Sequence, residues 1–340
     1  MWTHVDRARL ARECLLAARH RGALELPVAD VGPPVATAGF GVQVGVQGSW
    51  LRGFAAVDAT GRAARWSRPV SRAGAGAAAL FSGPGSTLPR RGRVTRIEDG
   101  WAYRLDHPQA STVGIVTPPG VPGTLRGDVA ARLSIADPRQ YLRVATRPAG
   151  VQWSDQPVAP GRLAIGDAAL AFNPVAGQGL RFAVASALAA ATVLNSWKTG
   201  GGTLACDYYR SFVKGARARH LAKLATLGVV DPPTAPAAHP PRTDLPGQHA
   251  TLRFAAGIEQ AGINIGGRIV AGDCCVLPDG GLVRWAGGFD LLQLRDAVAE
   301  GRTSTQVCAA LAAAGVPHST ANALLAWALR TGVITAGSCG

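Results

Sequence analysis

The sequence predicts an α/β (α+β) protein, and three stretches carry that expectation. Residues 161–194 read as a short apolar strand, a tight acidic turn and a long alanine-rich helix, the succession of a layered α/β unit. Residues 93–116 alternate apolar and polar with period two, as paired antiparallel strands do. Residues 289–330 hold three helical patterns beyond a proline-rich stretch, which adds a small C-terminal unit.

Length and composition agree. A chain of 340 residues, 47% of them hydrophobic, has room for more than one packed core. Its best apolar run, Phe182–Leu194, is too short to span a bilayer and is expected to be a core helix. Asp6, Arg7, Arg9, Arg12 and Glu13 interrupt the N-terminus, so no signal-peptide core is present there and a cytoplasmic location is expected. The six cysteines include no C-x-x-C and no histidine at ligand spacing, which argues against a disulfide framework and against a metal site. The vicinal pair Cys274 and Cys275 reads as two ordinary half-buried thiols. A net charge of +14 raises a nucleic-acid reading, yet residues 250–340 carry six arginines and six acids, leaving the excess on the earlier part. Neither a nucleic-acid partner nor a membrane is expected.

In chain order, Val5–Ala23 places Leu10, Cys14, Leu15 and Ala18 at helical spacing, with Asp6 to cap the start and Gly22 to end it. Residues 35–56 hold glycine-broken β-like runs, and Phe54–Val57 is a strand running into Asp58-Ala59-Thr60-Gly61-Arg62. Residues 63–92, rich in Arg, Gly, Ala and Ser, read as an unpatterned connection. In the hairpin that follows, Trp101 and Tyr103 share one strand face, where an aromatic pair either packs the sheet or contacts a ligand. Residues 128–144 mix helix and strand, and 151–158 is a further strand.

Leu163-Ala164-Ile165 is the buried strand of the central stretch and Gly166-Asp167 its turn. Asn173-Pro174 and Gly177-Gln178-Gly179 then lead into the helix. A helix start leaves N–H groups without intrahelical partners and aligned with the helix dipole, so it favours an electron-rich or anionic group. Glycine at 177 and 179 removes the side chains that keep a flat ring away from that backbone, and Asp167 is an acceptor for hydroxyls.

The Gly166-Asp167-Ala168 box, with Pro174 and Gly177-x-Gly179 behind it, resembles the second flavin-contacting motif of the class A flavoprotein monooxygenases and flavin-dependent halogenases. The resemblance implies FAD as cofactor, held by Gly166, Asp167, Ala168, Pro174, Gly177, Gln178, Gly179 and Leu180. It puts Asp167 on the ribityl chain, Gly177 to Leu180 at the pyrimidine end of the ring and Pro174 near its reactive edge. The first helix and the Asp58–Arg62 strand end resemble segments of the same family, so the likeness covers roughly residues 1–225.

On that basis residues 1–62 and 159–228 form a partial Rossmann-like FAD-binding domain, and 63–158 an antiparallel substrate-domain sheet. The family's G-x-G-x-x-G turn is not found, since Gly39-Phe40-Gly41 and Gly74-Ala75-Gly76 lack the third glycine and a strand-to-helix setting. The first Rossmann βαβ is therefore expected to be missing from this chain. A misassigned start, a truncated gene and a partner supplying that half are three open accounts, and weak FAD retention is expected.

Activity in this family passes oxygen activated on reduced flavin to an electron-rich aromatic group. The expected function is FAD-dependent monooxygenation of an aromatic small molecule or of an aromatic group borne on a peptide or carrier, fed by a flavin reductase or NAD(P)H. The general plan resembles flavoproteins that hydroxylate a protein-borne tryptophan during quinone-cofactor maturation. Trp101 and Tyr103 are the substrate-contact candidates, and no side chain is assigned as catalytic acid or base. A flavin-dependent halogenase is one alternative. Its W-x-W-x-I-P box is matched only in part, with Tyr103 for the second Trp, Leu105 for Ile and Asp106 for Pro. A non-catalytic flavoprotein scaffold that binds a partner is the other.

Beyond the central helix, residues 207–227 form an amphipathic helix with Arg210, Lys214, Arg217, Arg219 and Lys223 on its wet side. Residues 229–250 are a Pro-rich linker, and 251–336 a winged-helix-like domain. In it Gly281–Trp285 is strand-like, Phe289–Glu300, Thr303–Ala314 and Ser319–Arg330 are helices, and Gly332–Ile334 returns as strand. Thr303 and Ser319 are the expected N-caps. The third helix holds no Lys or Arg before Arg330, which favours docking of protein or peptide over DNA.

Overall fold

The computed structural model describes residues 6–26, 31–37, 41–67, 70–74, 76–85, 92–174, 177–227, 250–278, 280–298 and 301–337. The chain divides into two compact units, one of Met1–Ser186 with Leu224–Asp231, the other of Ala187–Lys223 with Pro232–Gly340.

In the first unit α1 (Arg7–His20) starts where Asp6 accepts a hydrogen bond from the Arg9 N–H at 3.0 Å. The glycine-broken stretch is a three-stranded antiparallel sheet of β1 (Val35–Ala36), β2 (Val42–Val46) and β3 (Ser49–Gly53). After β4 (Ala56–Asp58) come β5 (Val70–Ala73), β6 (Ala77–Pro84), β7 (Gly92–Ile97), β8 (Gly100–Leu105) and β9 (Ala110–Thr117). The unit continues with α2 (Gly127–Arg132), β10 (Leu142–Pro148), β11 (Val151–Ser154), β12 (Val158–Ala159), β13 (Arg162–Ala164) and β14 (Leu170–Ala171).

The expected hairpin is β7 to β9, inside a five-stranded antiparallel sheet of order β10-β6-β9-β8-β7. Residues 63–92 are not an unpatterned connection, because β6 is an inner strand of that sheet. Alanine and glycine are poor strand formers, which hid it; between two packed layers, small residues are what fits. Ala79 and Phe81 join Val129, Ala130 and Leu133 of the α2 segment on one face, and Ala78 joins Trp101, Val116 and Ala149 on the other. The β6–β10 ladder runs on into β5–β11 past a close crossing, where a Cβ on Gly150 would stand 2.2 Å from the Gly74 carbonyl oxygen.

The second unit takes in most of α3 (Gly179–Trp197) and of α4 (Gly202–Thr226), which starts at Gly202 rather than Asp207. At nineteen residues, with a mean hydropathy of 1.3, α3 is long and apolar enough to cross a membrane, which corrects the shorter span read from the sequence. Ser186, Thr192, Val193 and Ser196 are buried in it, while Val184 and Leu188 are exposed and 39% of its apolar window is buried. On α4, Arg210, Lys214, Arg219 and Lys223 are exposed while Tyr209, Val213 and His220 are buried.

Then follow β15 (Thr251–Phe254), β16 (Gly257–Ile265), β17 (Arg268–Val276), β18 (Leu282–Val283), β19 (Trp285–Ala286), β20 (Phe289–Asp290), α5 (Leu291–Ala297), α6 (Ser304–Ala313), α7 (His318–Arg330) and β21 (Ile334–Gly337). Leu252, Leu291, Leu294, Leu311, Leu325 and Ile334 make one core closed by the antiparallel β15–β21 pair. Thr303 caps α6 in a reciprocal box with Gln306. Ser319 does not cap α7; the helix opens at His318 behind Pro317, which leaves Ser319 inside its first turn. The β16–β17 hairpin was not anticipated, although its two-residue Gly266-Gly267 turn (φ +57° and +78°) is a strong hairpin signal. The proline-rich segment lies outside the described residues, apart from Ala250.

His220 is 1% exposed; burial first, and Lys223 second, pull its pKa from 6.5 down to about 4. The fold keeps this ring neutral where the unfolded chain already takes up a proton, so its contribution is complete above pH 6.5 and is lost as the pH falls toward 4. Urea denaturation from neutral pH downward is expected to show a falling midpoint across that window. His220→Leu is expected to flatten the fall, and an unchanged profile in the variant counts against this origin.

Candidate functional site

β4 and β13 lie side by side and parallel, Val57 opposite Leu163, with Leu163 and Ala164 buried. A parallel pair brings both C-terminal strand ends to one edge, so the Asp58–Arg62 loop and the Gly166–Ala168 turn emerge together. Asp58 is 2% exposed and accepts four hydrogen bonds. They come from the Thr60 N–H (3.0 Å), the Thr60 hydroxyl (2.6 Å), the Trp66 N–H (2.9 Å) and the Ser67 hydroxyl (2.7 Å). Burial pushes its pKa up, but the Thr60 and Ser67 side chains and the two backbone donors outweigh that and hold it below its ordinary value. Asp58 thus shapes the loop.

Arg62 closes the arrangement. Its Nη1 donates to the Gly150 carbonyl and its Nη2 to the Phe172 carbonyl, each at 2.8 Å, and its Nε lies 3.9 Å from Asp167 Oδ2. The Arg62 carbonyl in turn accepts from Gln152 Nε2 at 2.9 Å, and Gln152 Oε1 accepts from Arg72 Nε at 3.2 Å. Burial pulls the Arg62 pKa down and the Asp167 carboxylate opposes it, while a guanidinium keeps its proton regardless. A planar fork reaches two carbonyls and a carboxylate at once, which an ammonium does not. Sequence reasoning passed over Arg62 because its carbonyl partners are 88 and 110 residues away.

The expected cofactor residues lie at the end of β13, from Gly166 to Ala168, at Pro174, and from Gly177 into the start of α3. Gly166 takes φ +56° and donates its N–H to the Ser186 hydroxyl at 2.9 Å, which ties the turn to α3. Ala168 is fully buried, and Phe172 meets Phe182 edge-on with ring centroids 5.1 Å apart. The Asp167 side chain stays 41% exposed, facing outward. Pro174 is half-buried, and its carbonyl accepts from the Gly177 N–H at 3.0 Å; Gly177 has φ +60°, a conformation that residues with a side chain rarely adopt. The Gln178 carbonyl accepts from the Phe182 N–H at 2.9 Å, so the helix opens at Gly179 with Leu180 half-buried behind it. A Cβ on Gly179 would meet nothing within 4 Å, leaving open space at the helix start.

Trp101 and Tyr103 sit on the sheet face away from α2, ring centroids 5.7 Å apart and tilted by 30°. Tyr103 lies over Gly114, where a Cβ would stand 2.1 Å from the ring. The Trp101 indole is 6% exposed and its Nε1–H is buried without an acceptor among the described residues. Ala149 packs in this cluster, and the carbonyl of the next residue, Gly150, accepts the Arg62 hydrogen bond, so the chain end of this cluster and the Asp167 turn share one guanidinium. Asp106 is buried and accepts from Arg104 Nε at 2.7 Å and the Ser111 hydroxyl at 3.0 Å, a structural role. Among the described residues no cluster of three or more His, Cys, Asp or Glu side chains is placed to hold a metal.

No protein-family model matches this chain, and no curated protein matches it in sequence. Solved structures do match. The peptidyl tryptophan dihydroxylase QhpG, essential for tryptophylquinone cofactor biogenesis, is similar over 96% of this chain and 80% of its own, at 19% identity and a TM-score of 0.62. CmlS, a flavin-dependent halogenase, is similar over 98% and 78%, at 15% identity and a TM-score of 0.69. The myxobacterial chondrochloren halogenase CndH is similar over 66% and 60%, at 20% identity and a TM-score of 0.51. The chain therefore has the mixed α/β fold of the flavin-dependent halogenases and of this dihydroxylase.

Arg62→Lys leaves at least one of the Gly150 and Phe172 carbonyls without its charged donor. A loss of about 2–3 kcal/mol in unfolding free energy is expected by urea denaturation, with Arg62→Ala at least as damaging. A change below about 0.5 kcal/mol, the range of an ordinary surface substitution, contradicts the clasp.

Proposed function

We propose that this chain is a flavin-dependent enzyme that hydroxylates an electron-rich aromatic group, with a peptide- or carrier-borne aromatic as the substrate class. The observation that carries the reading is the Arg62 guanidinium, which ties the Asp167 turn and the Phe172 carbonyl to Gly150, the residue after Ala149 of the Trp101 cluster. The similarity in fold to a peptidyl tryptophan dihydroxylase and to flavin-dependent halogenases supports it.

The residues present fit a flavin ring and its ribityl chain. Asp167 offers a half-exposed carboxylate to hydroxyls, and the α3 start offers backbone donors beside open space at Gly179. Gly166, Ala168, Pro174, Gly177, Gln178 and Leu180 set the path of that backbone. A bound flavin, FAD in this reading, supplies the redox chemistry, taking electrons from a flavin reductase or NAD(P)H and activating oxygen. The α3 start and Asp167 would hold the ring and its ribityl chain, and Tyr103, on the same sheet face as the buried Trp101, would meet the aromatic group. Orientation is the contribution assigned to these side chains, and none is assigned proton transfer. Halogenation is the second reading, favoured by the halogenase folds; the use of Asp106 as a buried ion-pair partner at the box's proline position counts against it.

Since these residues address ring and ribityl chain alone, riboflavin and FAD are expected to bind this chain with similar affinity in a fluorescence titration. Asp167→Ala is expected to weaken both about tenfold, the worth of one hydrogen bond to a charged group. Flavin binding that Asp167→Ala leaves untouched contradicts the assignment. With a flavin reductase and a tryptophan-containing peptide, mass spectrometry is expected to show gain of oxygen; gain of halogen in the presence of halide favours the second reading.

A further inference from the structure

We propose that the open face of the five-stranded sheet binds an acidic peptide, its aromatic residue resting on Tyr103 and carboxylates to either side meeting Arg96 and Arg147. This deepens the reading of a peptide-borne aromatic substrate, on which it rests, by giving that peptide a charge and a span.

The ladder registers fix what this face carries, because residues directly opposite each other on neighbouring strands point to the same side of a sheet. Following the pairs from β7 to β10 gives one row of Arg96, Trp101, Val116, Ala78 and Arg147. A second row, two residues along, holds Val94, Tyr103, Gly114, Leu80 and Ala145. A third, of Leu105, Thr112, Ser82 and Leu142, is uncharged as well. The opposite face of the sheet is the one packed on the α2 segment.

The first row is closed at its centre, where Trp101, Val116 and Ala78 are buried. The second is open, with Val94 45% exposed and Tyr103, Leu80 and Ala145 half-buried. The solvent face of an antiparallel sheet is ordinarily polar, yet this row has no charged or amide side chain from one edge to the other. An apolar stretch with a charged rim marks a binding surface. The Tyr103 ring lies over Gly114, where any side chain would collide with it, and so offers an aromatic surface on an otherwise aliphatic row.

The rim decides the occupant. Arg96 and Arg147 are exposed, and among the described residues neither guanidinium has a hydrogen-bond or ion-pair partner. No Asp or Glu stands in the three rows; Glu98 and Asp99 lie in the β7–β8 turn. The other arginines of the two edge strands are engaged, Arg93 with the Ser134 hydroxyl and the Arg132 carbonyl, Arg143 with the Thr146 hydroxyl. Two unpaired cations beside an apolar row suit an aromatic ligand that carries anionic groups. Four strand spacings of about 4.8 Å put their backbones roughly 19 Å apart. A small molecule with one carboxylate meets one of them, whereas about six residues of extended peptide cover the distance. A nucleic acid asks for a continuous run of cations, which the apolar row interrupts.

The test is fluorescence anisotropy with the full chain at low ionic strength and no flavin added. A labelled peptide holding a tryptophan, with an aspartate three residues to either side, is expected to bind about tenfold more tightly than its asparagine counterpart. Arg96→Gln and Arg147→Gln are each expected to weaken the aspartate peptide about threefold, and together to bring the two peptides to one affinity, with the asparagine peptide unchanged. Tyr103→Ala is expected to weaken both peptides alike. Equal binding of the two peptides, a preference that survives the double substitution, or no binding of either overturns the proposal, and so does tighter binding of single-stranded DNA. Since flavin is absent, failure here leaves the Asp167 assignment standing, and failure of the riboflavin titration leaves this preference measurable.

Discussion

The Arg62 guanidinium bonds the carbonyls of Gly150 and Phe172 and faces the Asp167 carboxylate, so the relative positions of three segments rest on one planar group. Gly150 belongs to the crossing between two sheets, Phe172 to the segment leading toward α3, and Asp167 to the turn at the end of β13. Backbone carbonyls in such places lie beyond any regular ladder and need a donor; a charged fork meets that need for two of them and still offers its Nε to a carboxylate. The Gln152 amide then holds Arg62 by its own carbonyl, so the donor is itself positioned.

Two carboxylates at neighbouring strand ends have opposite uses here. Asp58, at the end of β4, is sealed in and spends its lone pairs on four local donors. Asp167, at the end of the parallel partner, makes a long contact with Arg62 and keeps two fifths of its side chain in solvent. The first organises a loop, and the second has acceptor capacity to give a ligand. The same contrast separates Phe172 and Phe182, locked edge-on in the interior, from Trp101, whose buried N–H has no acceptor in the described fold.

What the sequence made legible was local. The turn and helix start at 166–180 stand out because strand, glycines and helix follow one another within a few residues, and Trp101 and Tyr103 share a face because strand side chains alternate. Arg62 was illegible as a clasp, since its meaning lies in carbonyls brought close only by folding. β6 was missed because its Ala-Ala-Ala start suits a crowded two-sided position and looks like a connection in one dimension. The β16–β17 hairpin was overlooked despite Gly266-Gly267, its strands being glycine-interrupted at Gly262 and Gly272. At α7 a favoured cap, Ser319, lost to the fixed φ of Pro317, which sets the cap two residues sooner.

The central proposal is that the Asp167 turn and the α3 start hold a flavin, with the sheet face of Trp101 and Tyr103 left to the aromatic substrate. The most direct test is a crystal structure of the chain grown with riboflavin, which requires no dinucleotide site. The account predicts the isoalloxazine ring against the helix start at Gly179, with a ribityl hydroxyl on the Asp167 carboxylate and one ring face turned toward Trp101 and Tyr103. A ring bound elsewhere, with Asp167 still facing solvent, contradicts it.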